Sequence, residues 1–182
     1  MAGGRSRRFG RDKRRALFNG RTLAERSLAL LRSAVDGTVM VAGRGAFDRP
    51  VDAVFIEDAD AGAGPLAGLV AALQRSRRGV LVLPCDAPLL RADTVSAIAR
   101  AGRRSGGTVV ARSRRGLEPL VAFYPKAALP ILAAGLREQT RALHRLLPRL
   151  RARAIEAGDG REMHNVNSPA DLERARQWTQ RR

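Results

Sequence analysis

Residues 79–83 (GVLVL) are apolar without alternation, and this run restricts the possible folds more than any other stretch of the chain. A strand with one face in water alternates apolar and polar side chains, so an unbroken run is the pattern of a strand covered on both faces. Helices on either side of a parallel sheet provide that cover, and helical patterns surround this run. Residues 22–35 place Leu23, Leu28, Leu30 and Leu31 at amphipathic spacing. Residues 65–73 (PLAGLVAAL) open on a proline suited to a first helical turn. Residues 93–103 predict a further helix with Asp93 and Thr94 as cap candidates, and residues 126–136 and 141–147 two more, broken near Pro148. Ser168-Pro169-Ala170-Asp171 opens the last helix with a serine cap, a proline at the first position and an acid at the third. Short strands are predicted at 38–41, 51–56, 108–111, 120–124 and 151–156. Strands alternating with helices indicate an α/β fold with a mostly parallel sheet.

At 182 residues the chain is read as one domain, 1–182, with one substantial core. Hydrophobic residues make up 45% and aromatics 4%, so that core is built from Ala, Leu and Val. The formal charge of +17 invites a nucleic-acid reading. Its distribution argues otherwise: nearly all the cations are arginines scattered from Arg5 to Arg182, not a stripe interleaved with aromatics. The field instead suits anionic nucleotides. A single cysteine, Cys85, rules out an internal disulfide, no zinc-ligand cluster stands out, and neither export nor membrane insertion is expected. A cytoplasmic location is expected.

Four segments carry candidate chemistry. Residues 3–13 (GGRSRRFGRDK) are dense in glycine, lack apolar periodicity and end on Lys13, one of only two lysines. Glycine lets backbone N–H groups approach phosphate oxygens, and Lys13 can neutralise charge on a phosphoryl group under attack. The spacing is not that of a Walker loop, and a basic terminal tail without a ligand fits the composition equally well. Residues 83–88 (LPCDAP) follow the buried strand. Ligands gather beyond the carboxyl ends of strands in open α/β sheets, which makes Asp86 a candidate ligand for a hard divalent cation. An Asp that merely caps a turn between two prolines is the competing reading. Cys85 beside it reads as a packing residue, with no partner base evident.

Glu57-Asp58-Ala59-Asp60 precedes residues 62–68 (GAGPLAG), which contain Gly64 and Gly68. A carboxylate can accept from both N1–H and the N2 amine of guanine, which makes Asp58 a candidate for base selection; an acidic loop solvating a strand end explains it equally. Asn165-Val166-Asn167 places two amides on one side of an extended segment, where each can donate and accept. Local capping also accounts for Asn167. His144 and His164 show no metal-ligand spacing.

Taken in order, these four segments resemble the molybdenum cofactor guanylyltransferase family, the MobA proteins. That family's pattern runs roughly LAGGxSxRMGxDK, an acidic stretch before GPLAG, PCDxP, then NxNTPxDL. Here the corresponding segments are 1–13, 58–68, 84–88 and 165–172. The resemblance implies a three-layer α/β/α nucleotide-diphospho-sugar transferase fold, Rossmann-like. It also implies transfer of GMP from GTP to molybdenum-bound molybdopterin, with Mg²⁺ as cofactor. By motif, Ala2, Gly3, Gly4 and Lys13 would bind GTP, Asp58 the nucleotide, and Asp86 both GTP and Mg²⁺, with Lys13 and Asp86 as the catalytic pair. Ser6, Arg8, Gly64, Gly68, Asn165 and Asn167 would support the site. Cofactor-insertion proteins and molybdoenzymes are the implied partners.

The sequence departs from that pattern in three places. The family carries an apolar strand before its Gly-rich loop, whereas this chain starts at Met1, so a truncated first strand is expected. Residues 39–44 (VMVAGR) lack the asparagines of the corresponding segment, with Val41 and Gly43 in their place. Phe9 replaces a methionine, a tolerated hydrophobic swap. The competing readings are a cytidylyltransferase for the same cofactor or another nucleotidyltransferase of this fold, a basic nucleic-acid-binding module, and an inactive truncated homologue.

Overall fold

A computed structural model describes residues 15–38, 40–42, 53–56, 64–140, 142–158 and 160–180. The described chain opens with a hairpin of β1 (Leu17–Phe18) and β2 (Arg21–Thr22), turned through Asn19 and Gly20, both at positive φ as a two-residue hairpin loop requires. Helix α1 (Leu23–Ala34) follows at once, because Thr22 caps it. The Thr22 hydroxyl accepts from Glu25 N at 3.2 Å, and the Glu25 carboxylate accepts from Thr22 N at 2.8 Å. Then come β3 (Met40–Ala42) and β4 (Val54–Ile56), paired in parallel with Met40 opposite Val54. Helix α2 (Pro65–Arg75) leads to β5 (Gly79–Val82) and α3 (Ala92–Ser105). Strands β6 (Val109–Ser113) and β7 (Gly116–Pro125), helix α4 (Leu129–Arg137), β8 (Arg153–Glu156) and α5 (Pro169–Gln180) complete the order.

Strands β5 to β8 form one sheet in the order β5-β7-β6-β8. β7 is antiparallel to both β5 and β6, and β8 is parallel to β6. Three of the four strands therefore point the same way, and β7 is the reversed one between two of them. The unalternated run is explained by its neighbours. Val80 and Val82 join one core, with Leu66, Leu69 and Leu73 of α2 and Leu132 of α4, while Leu81 and Leu83 join another, with Val95 and Ile98 of α3 and Leu30 and Leu31 of α1. Helices cover both faces, giving the expected three layers. A smaller core of Ala16, Phe18, Leu23, Val166, Leu172 and Ala175 docks α5 against the hairpin and the start of α1.

Several sequence expectations need correcting. Asp93 and Thr94 do not cap α3: Arg91 occupies the cap position, no side chain bonds there, and both lie within the first turn. Thr94 is drawn elsewhere, its hydroxyl donating to Glu162 Oε2 at 2.7 Å. The helix predicted at 126–136 begins as a 3-10 turn, Lys126–Ala128, and becomes α-helical only at Leu129. Pro130 has no N–H to complete an α-type bond back to residue 126. The predicted helix at 141–147 is a 3-10 turn, Leu143–Leu146. Its three-residue repeat buries Leu143 and Leu146 together, and Pro148 withholds the N–H that would continue it. Lys126 has a structural task, donating from Nζ to Leu73 O at 2.6 Å and Gln74 O at 3.0 Å, where the last carbonyls of α2 favour a cation.

Candidate active site

β5, β6 and β8 deliver their carboxyl ends to one edge of the sheet, and the connections leaving that edge carry two of the four motifs. After β5 the chain turns through Pro84, Cys85 and Asp86. Pro84 and Cys85 are buried, whereas Asp86 is half-exposed. The buried Cys85 acts in packing, as expected. After β8 the described residues 157–158 and 160–168 form neither helix nor strand, and they carry Asn165 and Asn167. These segments meet where Val166 N donates to Asp86 O at 2.7 Å. That bond joins residues 80 positions apart in sequence (166 minus 86). It leaves Asn165 half-buried and Asn167 exposed on either side of a buried Val166.

The Asp86 turn is also tied to α1, by contacts that the sequence did not suggest. Ser27 Oγ donates to Pro84 O at 2.9 Å, and Arg26 Nη2 donates to Pro88 O at 3.0 Å. A signal for Ser27 existed, because a polar residue four positions after Leu23 falls on the buried stripe of the helix. Burial, and then the nearby Arg21, lower the Arg26 pKa from its ordinary value.

The connection carrying Asn165 and Asn167 is held by carboxylates. Glu162 is buried, accepting from Thr94 with one oxygen while the other stands 3.8 Å from Arg91 Nε. Arg115, at the β6–β7 turn, donates to Met163 O. Beyond the asparagines, the expected capping of α5 is present: Asp171 Oδ2 accepts from Ser168 N at 2.9 Å and Asn167 N at 3.1 Å, and Ser168 Oγ accepts from Asp171 N at 3.2 Å. The Ser168 hydroxyl bond, helped by these backbone bonds and by His164, holds the Asp171 carboxyl below its ordinary pKa. Asn167 therefore does contribute to capping, through its backbone, while its side chain faces outward.

At the third motif, Gly64 caps α2 with φ 63° and ψ −149°, a conformation essentially confined to glycine, and no side chain caps the helix. Gly68 is buried in the same helix. Val41, where the resembling family has a polar residue, is buried against Leu28 and offers no polar contact. Ala2, Gly3, Gly4, Ser6, Arg8, Lys13 and Asp58 lie outside the described residues, as do Phe9 and Gly43. Among the described residues no group of three His, Cys, Asp or Glu side chains gathers.

Comparison with known proteins agrees with this arrangement. The model of the MobA-like NTP transferase domain matches residues 1–154. The chain is 37% identical over 187 residues to a probable molybdenum cofactor guanylyltransferase of Opitutus terrae, covering 97% of this chain and 92% of that one. It is 32% identical over 178 residues to a molybdenum cofactor guanylyltransferase of Pseudomonas putida, covering 95% and 93%. Among solved structures, the molybdopterin-guanine dinucleotide biosynthesis protein A of Archaeoglobus fulgidus superposes with a TM-score of 0.78 at 22% identity, covering 100% of this chain and 97% of that one. The 2-C-methyl-D-erythritol 4-phosphate cytidylyltransferase of Thermus thermophilus superposes with a TM-score of 0.71 at 23% identity, covering 92% and 94%. These two likenesses establish the nucleotide-diphospho-sugar transferase fold, and the domain match with the closer relatives establishes that the chain belongs to the MobA family of molybdenum cofactor guanylyltransferases.

Proposed function

We propose that the chain transfers GMP from GTP to molybdenum-bound molybdopterin, giving the molybdopterin guanine dinucleotide cofactor and pyrophosphate. The observation that carries the reading is the bond from Val166 N to Asp86 O, which unites two of the family's motifs at the carboxyl edge of the sheet. The names of the Opitutus and Pseudomonas relatives supply the substrates.

In this reading an oxygen of the pterin phosphate attacks the α-phosphorus of GTP in line, and the bond to the β-phosphate oxygen breaks, releasing pyrophosphate. No side-chain nucleophile is required, so the work of the protein is positioning and charge neutralisation. Asp86 would hold Mg²⁺, whose charge would offset that of the phosphates. Ala2, Gly3, Gly4 and Lys13 are assigned to GTP binding, Ser6 and Arg8 to support of the site, and Asp58 to selection of guanine. Asn165 and Asn167, fixed beside Asp86 through Val166, orient the acceptor. Gly64, at the start of α2, supports the site.

No helix among the described residues is long and apolar enough to cross a membrane. A cytoplasmic location, and hand-over of the product to insertion proteins or molybdoenzymes, complete the proposal. The test is turnover of purified protein with molybdenum-bound molybdopterin in Mg²⁺, supplied with GTP or CTP. Pyrophosphate release with GTP, abolished by chelation of the metal, is the expected result. Turnover with CTP equal to or better than with GTP would overturn the guanylyl assignment.

A further inference from the structure

The hairpin of β6 and β7 overhangs the carboxyl edge of the sheet. Val82, the last residue of β5, stands opposite Ala122 of β7, and Ala122 faces Val110 of β6 on its other side. From that row β6 continues for three more residues (113 minus 110), as far as Ser113. Gly116, opposite Ser113, opens β7, so Arg114 and Arg115 form a two-residue turn beyond the end of β5, on the same side as the Asp86 turn.

This hairpin turn is braced from within. Ser113 Oγ accepts from Arg115 N at 3.1 Å and donates to Glu118 Oε1 at 2.7 Å. The Arg115 guanidinium reaches out from that brace. Although Arg115 is exposed, its Nη2 donates to the carbonyl of Met163, a buried residue 48 positions away. Three residues on (166 minus 163), Val166 N donates to Asp86 O. Asn165 thus stands between a carbonyl held by the hairpin and an N–H held by the Asp86 turn. An amide side chain orients a ligand only as well as its backbone is placed, and two fixed points this close place it. Arg114 offers an internal comparison. Its stem lies beside Gly160, and it donates no hydrogen bond to a described residue.

We propose that Arg115 is a positioning residue for the acceptor, a role that rests on the guanylyltransferase reading: by holding Met163 O it keeps Asn165 beside Asp86 and so tightens binding of the pterin, without touching the reacting phosphates. A guanidinium suits this task, since its charge-assisted bond is roughly twice as strong as a neutral one.

Kinetics and hydrogen exchange test the role together. Arg115→Ala should raise the KM for molybdenum-bound molybdopterin about tenfold or more, the scale of one hydrogen bond to a charged group, with kcat and the KM for GTP within about twofold of wild type. Arg115→Met keeps the stem and loses the donor, and should behave like Arg115→Ala. Arg114→Ala removes an equal charge from the same turn and should leave both KM values unchanged. In the substrate-free proteins, the Val166 amide should exchange about tenfold faster in Arg115→Ala and Arg115→Met than in wild type or Arg114→Ala. An unchanged Val166 amide would overturn the proposal even with a raised KM, because Arg115 would then be meeting the pterin itself. So would an unchanged KM for the pterin, an equal rise in Arg114→Ala, a KM for GTP raised by the same factor, or a wild-type KM in Arg115→Met. A wild type that transfers no GMP would remove the transferase reading, and the acceptor role with it, whatever the exchange shows.

Discussion

The Asp86 turn and the connection that carries Asn165 and Asn167 face each other across one hydrogen bond, yet they are held in place by opposite means. The turn inherits its position from β5, and its ties to other described residues include Ser27 to Pro84 O, Arg26 to Pro88 O and Val166 to Asp86 O. The connection keeps one bond to the sheet after β8, from Ala157 N to Arg112 O, and beyond it two carboxylates help to place it, the buried Glu162 on one side and Asp171 on the other. A strand-borne carboxylate can be spent on chemistry because its backbone is fixed elsewhere. Carboxylates on an irregular segment are consumed in fixing it.

If the contrast is sound, removing an acid from each side should fail differently. Asp86→Ala should lower kcat by about 10²–10³-fold, the scale of losing one charge-stabilising group, while thermal stability changes little. A loss of stability as large as the loss of turnover would make Asp86 a structural turn residue. Glu162→Ala should do the reverse. It deprives the buried Thr94 hydroxyl of its acceptor and Arg91 of a partner, costing about 1–3 kcal/mol in chemical denaturation. Turnover should fall only as far as Asn165 and Asn167 shift. A Glu162→Ala protein with native stability would show that the connection does not need its acid.

Ser27→Ala sharpens the same contrast on the turn side. The substitution removes a hydroxyl that donates to Leu23 O at 3.3 Å and Pro84 O at 2.9 Å, and should cost about 1 kcal/mol. Because β5 still positions Asp86, kcat/KM should stay within about tenfold of wild type, a change of less than ~1.4 kcal/mol in the barrier. A larger loss would mean that α1, not the strand, sets the Asp86 geometry.

The same difference between local and distant control decides what could be read in the sequence. The run at 79–83 announced a sheet covered on both faces because each of its side chains has only two places to go. Pro65 and Ser168-Pro169-Ala170-Asp171 announced helix starts because capping acts within four residues, and α2 and α5 begin there. The β1–β2 hairpin was equally local, with Asn19-Gly20 as its signal, but its strands of two residues each are too short for alternation to mark them. What escaped was non-local. Thr94 looked like a cap because nothing near it in sequence reveals Glu162, 68 residues away. The reversed β7 between β5 and β6 follows from pairing, not from its own composition. Of the candidate site, Asp86 and the asparagines were visible as motifs, whereas the bond that unites them is a backbone contact with no sequence signature.

The smallest expected effect is the pH dependence of Asp171. The folded-state pKa of Asp171 is lowered from 3.8, first by the Ser168 hydroxyl and with help from the N–H groups of Asn167 and Ser168. A depressed carboxyl adds stability above its unfolded pKa, and that stability is lost as pH falls from there through the folded value. The contribution of Asp171 is therefore complete at neutral pH and drains away below about pH 4. It should amount to less than about 1 kcal/mol, because the carboxylate is partly exposed and solvent screens it. Asp171→Asn keeps the size of the side chain and one acceptor but not the charge. Thermal unfolding of the two proteins between pH 6 and 2.5 should show a gap in Tm that narrows as the acid limb is descended. A gap of constant size throughout would mean that Asp171 fixes the asparagine segment by shape alone, and that charge is not what distinguishes the connection from the Asp86 turn.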